Sequence, residues 1–185
     1  MQLKQTCYIF LAMSAKSSKK IHRRKKSDSR PSWDEYFMNI AEMVGSRATC
    51  DRGRSGCIIV KERRIVSTGY VGSPMGASHC DESGHEMSEV INDDGTKSQH
   101  CVKTLHAEQN VIVQAARMGT AIDGGTLYCH MTPCYTCAKM IINAGIKRVV
   151  ANKDYHRGEK SKQIFADSGV LFELINDVIE NYKCQ

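Results

Sequence analysis

One histidine, one carboxylate and two cysteines with short, regular spacing are the residues best suited to chemistry. His106 lies two residues before Glu108, and Cys134 and Cys137 follow further along the chain as C-x-x-C. One imidazole and two thiolates are ligands that zinc prefers, and they leave its fourth position open to water. Zinc held in this way lowers the pKa of bound water to about 7. We therefore predict a hydrolytic zinc site with these three ligands and with Glu108 as the catalytic proton carrier.

Each half of this pattern also has a common alternative interpretation. A C-x-x-C pair alone occurs in structural zinc sites and in thioredoxin-like proteins, and a histidine before a helix is often only a cap. A structural zinc needs four protein ligands and has no use for Glu108, while a thioredoxin-like motif needs no His-x-Glu before it. The complete pattern, H-x-E followed by P-C-x-x-C, is a known signature of zinc-dependent nucleobase deaminases. It favours attack on an amidine-like ring carbon with release of ammonia.

Two predicted helices begin at the ligands and would position them. Apolar residues recur with helical spacing after His106 and again after Cys134, each time as far as a glycine. Strands are predicted over residues 126–130 and 146–151. Strands and helices that alternate in this way form right-handed βαβ units with a mostly parallel end of the sheet. If both helices pack on one face of the sheet, their first turns bring the ligands together. The partial positive charge of a helix N-terminus also lowers the pKa of a thiol there, which favours Cys134 as a thiolate.

The rest of the chain contributes further elements. Ser32 opens a capping box for an amphipathic helix that ends near Gly45, and residues 56–69 predict a hairpin. Residues 78–99 are polar and aperiodic, so we expect a long loop that needs an internal staple. A helix, a short strand and a final helical turn are predicted over residues 159–168, 170–174 and 177–182.

The charge distribution separates the beginning of the chain from the rest. Residues 1–30 carry nine Lys/Arg and one acidic residue, whereas residues 31–185 carry 17 Lys/Arg and 19 Asp/Glu. We therefore expect a basic tail over residues 1–30 and one slightly acidic folded domain over residues 31–185. A nucleic-acid groove in the domain is disfavoured, so nucleic acid would bind only non-specifically, through the tail.

Apolar runs and cysteine usage indicate a cytoplasmic protein without membrane contact. No apolar run reaches the roughly 18 residues of a membrane-spanning helix. The apolar residues 7–13 are followed, not preceded, by positive charge, which is unlike a signal peptide. The nine cysteines are odd in number and include the C-x-x-C pair, which favours metal binding in a reducing compartment.

Longer blocks of sequence resemble the cytidine deaminase superfamily and, within it, the deoxycytidylate (dCMP) deaminases. The blocks are RPSWDEYF at 30–37, STGYVGSP at 67–74, HAEQN at 106–110, TPCYTCAK at 132–139 and AGIK at 144–147. They follow the family order over about residues 30 to 175. The resemblance implies a three-layer α/β fold with a five-stranded mixed sheet flanked by helices. It also implies hydrolysis of dCMP to dUMP and ammonia, supplying dUMP for thymidylate synthesis.

The resemblance also implies a hexamer, effector binding of dCTP and dTTP, and a second, structural zinc. The candidate ligands of that second zinc are Cys50, Cys80, His85 and His100. His85 fits less well than the others, because relatives often have a cysteine there. The candidate substrate contacts are Asn110, Arg54, Tyr155 and Ser73. Arg52, Arg54 and Tyr155 occupy positions that resemble the phosphate-contacting positions of the family.

One departure from the family lies in the glycine loop. Relatives usually read Gly-Tyr-Asn-Gly there, and Val71 replaces the asparagine, which removes a donor and an acceptor from a nucleotide contact. The zinc chemistry does not depend on this position. Two alternatives remain open from the sequence. One is a deaminase of another base (cytidine, tRNA adenosine or guanine), and the other is a non-catalytic zinc module that binds RNA through its tail.

Overall fold

Helices and strands alternate through the part of the chain that the structure describes. The structure, a computed structural model, describes residues 30–91 and 95–179. The predicted basic tail, apart from residue 30, therefore lies outside the described residues. The elements are α1 (Trp33–Gly45), β1 (Gly56–Lys61), β2 (Arg64–Tyr70), α2 (Cys80–Ser83), β3 (Met87–Ile91), β4 (Lys97–Cys101), α3 (Ala107–Met118), β5 (Thr126–Met131), α4 (Tyr135–Asn143), β6 (Arg148–Lys153), α5 (Glu159–Asp167) and β7 (Leu171–Leu174).

A five-stranded mixed sheet forms the middle layer. Its strand order is β2-β1-β5-β6-β7. Strand β1 is antiparallel to β2 and β5, whereas β5, β6 and β7 are parallel to one another. Helices α4 and α5 form the crossovers that parallel neighbours require. The predicted parallel end of the sheet is therefore confirmed.

Helices cover both faces of this sheet. Phe37 and Ala41 of α1 pack with Ile58 on one face. Val111 of α3, Ile141 of α4 and Phe165 of α5 belong to the core on the opposite face. The three-layer α/β fold is thus confirmed, and α3 and α4 share one face as predicted. Among the described helices, none is long and apolar enough to cross a membrane.

Two segments differ from the prediction. Residues 78–99 are not a plain loop, because they contain α2 and β3, which pairs with β4 as an antiparallel hairpin. Exposed and half-buried positions alternate in β3 and through most of β4. However, β4 is mostly polar and the apolar residues of β3 do not alternate, so no hydrophobic periodicity marks the hairpin. In the predicted last helical turn, residues 177–179 are not helical, since the backbone N–H of Asp154 bonds the Val178 carbonyl (2.9 Å). Residues 180–182 lie outside the described residues.

An ion-pair network ties α1 to the parallel end of the sheet. Arg148 donates to both carboxylate oxygens of Asp34 (2.7 and 3.0 Å) and to Glu173 (2.6 Å). The Tyr128 hydroxyl donates to the same Asp34 carboxylate (2.7 Å). The hydrogen bonds from Arg148 are the main reason why the pKa of Asp34 lies below its ordinary value. The network therefore stabilises the charged form of Asp34.

Asp34→Asn should reduce the free energy of unfolding at pH 7 by about 1–3 kcal/mol, because it removes a charged acceptor from these hydrogen bonds. The folded-state pKa lies below the unfolded one, so the contribution is complete above the unfolded pKa and is lost as pH falls through the folded pKa. In denaturant titrations, the stability difference from wild type should be constant near neutral pH and shrink below about pH 4. A difference that persists in acid would contradict this. Asp167→Asn, at an exposed carboxylate bonded only to Gln163 in the described structure, is the control.

Candidate metal centre

Three donor atoms converge at the edge of the sheet where α3 and α4 begin. His106 is the N-cap of α3, Cys134 is the N-cap of α4, and Cys137 lies in the first turn of α4. His106 Nδ1 lies 3.6 Å from Cys134 Sγ and 3.5 Å from Cys137 Sγ. Nitrogen and sulfur ligands of one tetrahedral zinc are separated by about 3.6 Å, given zinc–ligand bonds of roughly 2.0 to 2.3 Å. The trio therefore fits a zinc ion without rearrangement.

Local structure fixes the orientation and the charge of these donors. The backbone N–H of His106 donates to Gln109 Oε1 (2.9 Å), which closes the first turn of α3. Hydrogen bonds from Cys137 and His106 lower the pKa of Cys134 to about 4, although burial opposes this. The bond with Cys134 raises the pKa of His106 to about 9. The lowered pKa favours the thiolate of Cys134, which is the form of cysteine that binds metals, and a bound metal would displace the proton from His106.

Glu108 lies beside the donors, in the first turn of α3. It is 7% exposed and it lines the same cavity as His106 and Cys134. Burial raises the pKa of its carboxyl group, against the effects of the His106 charge and of a hydrogen bond from Cys137. A carboxyl group with a raised pKa can accept and return a proton near neutral pH. Glu108 thus suits proton transfer, and it is not part of the donor trio.

The cavity beside the donors has a volume of about 130 Å³, and part of its wall is cationic. Arg52, His100 and Tyr155 line it together with the donor trio's His106 and Cys134. The guanidinium group of Arg52 donates to the Gln99 carbonyl (2.9 Å). Burial raises the pKa of Tyr155, while a hydrogen bond with Arg157 acts in the opposite direction. Two arginines therefore lie at or next to the cavity wall, where an anionic group of a ligand would be stabilised.

A second group of four donors lies at the base of the β3–β4 hairpin. It consists of Cys50, Cys80, His85 and Cys101. Cys50 Sγ is 3.6 Å from His85 Nδ1, and the sulfurs of Cys80 and Cys101 are 3.7 Å apart. Two thiolates on one tetrahedral zinc are separated by about 3.8 Å, and four protein ligands are typical of a structural site. This group therefore fits the staple that residues 78–99 were expected to need.

His100 is not a member of this second group, and Cys101 stands in its place. His100 and Cys101 both line the cavity, but successive side chains of a strand point to opposite sides, and of the two it is Cys101 that lies against the Cys80 sulfur. His100 Nε2 lies 2.9 Å from Ser98 Oγ. Burial and the nearby charge of Arg157 hold the pKa of His100 below its ordinary value. The histidine and the cysteine are adjacent in sequence, so only the assignment of strand β4, which the sequence did not reveal, separates their roles.

Of the four predicted substrate contacts, only Tyr155 lines the cavity. Asn110 Nδ2 donates to the Tyr70 carbonyl (2.7 Å), so it holds the glycine loop. Arg54 lies in a separate groove beside α1, although its neighbours Gly53 and Ser55 line the cavity. The Ser73 hydroxyl is buried and has no hydrogen-bond partner in the described part of the chain. The cavity residues Thr132 and Gln99 were given no role from the sequence, although Thr132 opens the block at 132–139; Gln99 belongs to no recognisable pattern.

Comparison with known proteins identifies relatives of this chain. Residues 31–153 match the protein family described as the cytidine and deoxycytidylate deaminase zinc-binding region. Deoxycytidylate deaminase of Saccharomyces cerevisiae is 38% identical over 141 residues, which are 76% of this chain and 44% of the yeast protein. ComE operon protein 2 of Bacillus subtilis is 38% identical over 146 residues, which are 79% of this chain and 72% of that protein. The chain thus spans less than half the length of the yeast relative.

A solved structure shows the same fold. It is the crystal structure of dCMP deaminase from the cyanophage S-TIM5 in complex with dCMP and dUMP. Its TM-score is 0.63 at 32% sequence identity, and the match covers 80% of this chain and 99% of the phage chain. The likeness therefore extends over nearly the whole described domain.

Proposed function

Because the chain belongs to the cytidine and deoxycytidylate deaminase family, we propose that it is a zinc-dependent enzyme that hydrolyses dCMP to dUMP and ammonia. The observation that carries this proposal is that a His-Cys-Cys donor trio and the buried Glu108 share one cavity with Arg52. Relatives named deoxycytidylate deaminase support the choice of substrate. So does the related phage structure, which holds dCMP and dUMP.

Four side chains have distinct roles in this reaction. His106, Cys134 and Cys137 would hold the zinc, which supplies a Lewis acid for the activation of water. Glu108 takes one proton from the attacking water and delivers it to N3 of the cytosine ring; it then takes the second proton of that water, from the new hydroxyl group on C4, and delivers it to the departing amine as the C4–N bond breaks. Its burial keeps bulk water away from this transfer. Both nitrogen atoms of the amidine are thus protonated by one carboxylate.

The cationic wall of the cavity favours a nucleotide over a nucleoside. Arg52 lies on the wall, and Arg157 is within hydrogen-bonding reach of Tyr155. Guanidinium and phenol groups donate to phosphate oxygens, and charged hydrogen bonds are about twice as strong as neutral ones. We assign the 5′-phosphate to this wall. Arg52 was among the phosphate contacts expected from the sequence, while Arg157 was not.

A substrate panel tests this proposal. Ammonia release is measured with zinc-loaded protein and dCMP, dCTP, cytidine, guanine or a tRNA anticodon arm. We expect efficient turnover of dCMP and much weaker turnover, or none, of the other four. No turnover of a monophosphate, together with turnover of cytidine, guanine or the tRNA arm, would contradict the proposed substrate.

The assembly, regulation and location of the enzyme are also proposals. We infer a homohexamer that responds to dCTP and dTTP, works in the cytoplasm and supplies dUMP for thymidylate synthesis. The cysteines support a reducing compartment, because all seven in the described residues are free thiols and five of them belong to the two donor groups.

Sedimentation with and without dCTP tests the assembly. Deleting residues 1–29 should leave deamination intact, whereas an RNA-binding module would lose its affinity.

Val71→Asn should lower the KM for dCMP by about 3- to 10-fold and leave kcat nearly unchanged, since one new hydrogen bond contributes roughly 1 kcal/mol. Val71 lines the cavity, and backbone hydrogen bonds to Thr49 (3.0 Å) and Ser55 (3.1 Å) hold its main chain. The substitution therefore leaves the main chain in place and changes what the side chain offers to a ligand, at the loss of part of the packing of Val71 against the core. Val113→Asn, at a half-exposed valine on α3, is the matched control and should leave KM unchanged. A raised KM in Val71→Asn would show that the apolar side chain itself contacts substrate.

A further inference from the structure

Asp154, a buried carboxylate that has no role in the proposed reaction, connects two walls of the cavity. Asp154 follows β6 directly and is 9% exposed. Its Oδ1 accepts hydrogen bonds from the Thr132 hydroxyl (2.7 Å) and from the backbone N–H of Tyr155 (2.8 Å). Its Oδ2 accepts from Lys162 Nζ of α5 (2.7 Å). Three segments of the chain thus meet at one carboxyl group.

Asp154 is charged at neutral pH despite its burial. Burial acts to raise the pKa of Asp154, but the hydrogen bonds from Lys162, Thr132 and the Tyr155 N–H together hold it below its ordinary value. A carboxylate only accepts hydrogen bonds. The Thr132 hydroxyl therefore points its hydrogen at Asp154, and its side chain has one fixed orientation.

The groups that Asp154 holds belong to the cavity. Thr132 and Tyr155 both line it, and Thr132 lies two residues before the donor Cys134. The following loop packs closely on this contact. A Cβ atom at Gly158 would lie 2.9 Å from Thr132 Cγ2 and 3.1 Å from Asp154 Oδ1. The end of β5 and the end of β6 are therefore held at one distance.

We propose that Asp154, with Lys162 as its counter-ion, is a positioning residue that sets Cys134 relative to Tyr155 across the cavity. It belongs neither to the donor trio nor to the residues that line the cavity. Its kinetic consequence rests on the proposed deamination, but its effect on the donor trio does not. Carboxylates that orient metal ligands typically change activity or metal affinity by about 10- to 100-fold when they are removed.

The full-length, zinc-loaded Asp154→Ala variant tests this proposal by two measurements. We expect kcat/KM for dCMP to fall by about 10- to 100-fold. The rate at which a chelator removes zinc from the donor trio should rise by a similar factor. The kinetic phase that belongs to this site is the one that is missing from the His106→Ala variant. Asp154→Asn keeps an oxygen that can accept from Thr132 and Tyr155, so it should recover most of both quantities.

Tyr128→Phe is the matched control, because it deletes a carboxylate hydrogen bond of equal length (2.7 Å, to Asp34) on the α1 face. It should lower only the melting temperature. If Asp154→Ala behaves like this control, with kcat/KM and zinc release unchanged, the inference is overturned. If Asp154→Ala does not fold, Lys162→Met, which removes the counter-ion together with the exposed Lys162–Glu159 ion pair, is measured against the same two outcomes. Wild-type protein that does not deaminate dCMP would refute the proposed function, while zinc release would still decide the role of Asp154.

Discussion

Glu108→Gln should lower the turnover of dCMP by about 10²- to 10⁴-fold and leave the zinc content unchanged. The amide has the size of the carboxyl group but cannot take up and return a proton. Glu108 is buried beside the donor trio without belonging to it, so the substitution removes proton transfer and keeps the ligands. Steady-state kcat and metal analysis by mass spectrometry measure the two quantities on one preparation.

Glu35→Gln is the matched control for this variant. Glu35 also lies in the first turn of a helix, α1, but it is exposed on the other face of the sheet. It should retain wild-type turnover and wild-type zinc. Glu108→Gln with near-normal turnover would remove Glu108 from the reaction, and loss of zinc would make it a ligand instead.

His106→Ala and His85→Ala should each reduce the zinc content from two ions per chain to one, with opposite consequences. His106 belongs to the three-donor group at the cavity, and His85 belongs to the four-donor group that holds residues 78–99. Loss of a Lewis acid is worth several kcal/mol of transition-state stabilisation, so His106→Ala should lower kcat by at least about 10³-fold. His85→Ala should act mainly on stability, because a structural zinc contributes folding free energy.

The pair is a controlled comparison, since each variant removes one imidazole from one donor group. Metal analysis, kcat for dCMP and the melting temperature are measured on both. Full turnover in His106→Ala would contradict the assignment of the catalytic zinc. A chain that binds only one zinc before any substitution would contradict the second site.

The convergence of His106, Cys134 and Cys137 was predictable because its determinants are local. The spacing of His106 and Glu108 and that of Cys134 and Cys137 place each pair at the start of an amphipathic helix. Alternating strands and helices then require both helix starts to lie at one edge of a parallel sheet. Local patterns and general topology together were therefore sufficient for this part of the site.

The parts that were not predictable depend on contacts between segments distant in sequence. The choice between His100 and Cys101 depends on the pairing of two short strands, β3 and β4, which carry no apolar periodicity. The placement of Arg54 depends on the path of residues 53–55, of which Gly53 and Ser55 line the cavity and Arg54 lines the groove beside α1. The role inferred for Asp154 depends on its contact with Thr132, 22 residues away in the chain. None of these contacts leaves a pattern in the sequence.

Anomalous diffraction at the zinc edge, from crystals of the purified protein, tests the proposed catalytic centre most directly. We expect a peak bonded to His106, Cys134 and Cys137, with the Glu108 carboxylate beside the fourth position and not bonded to the metal. No metal between these three side chains in folded protein, or a metal with Glu108 as its fourth protein ligand, would contradict a hydrolytic zinc site.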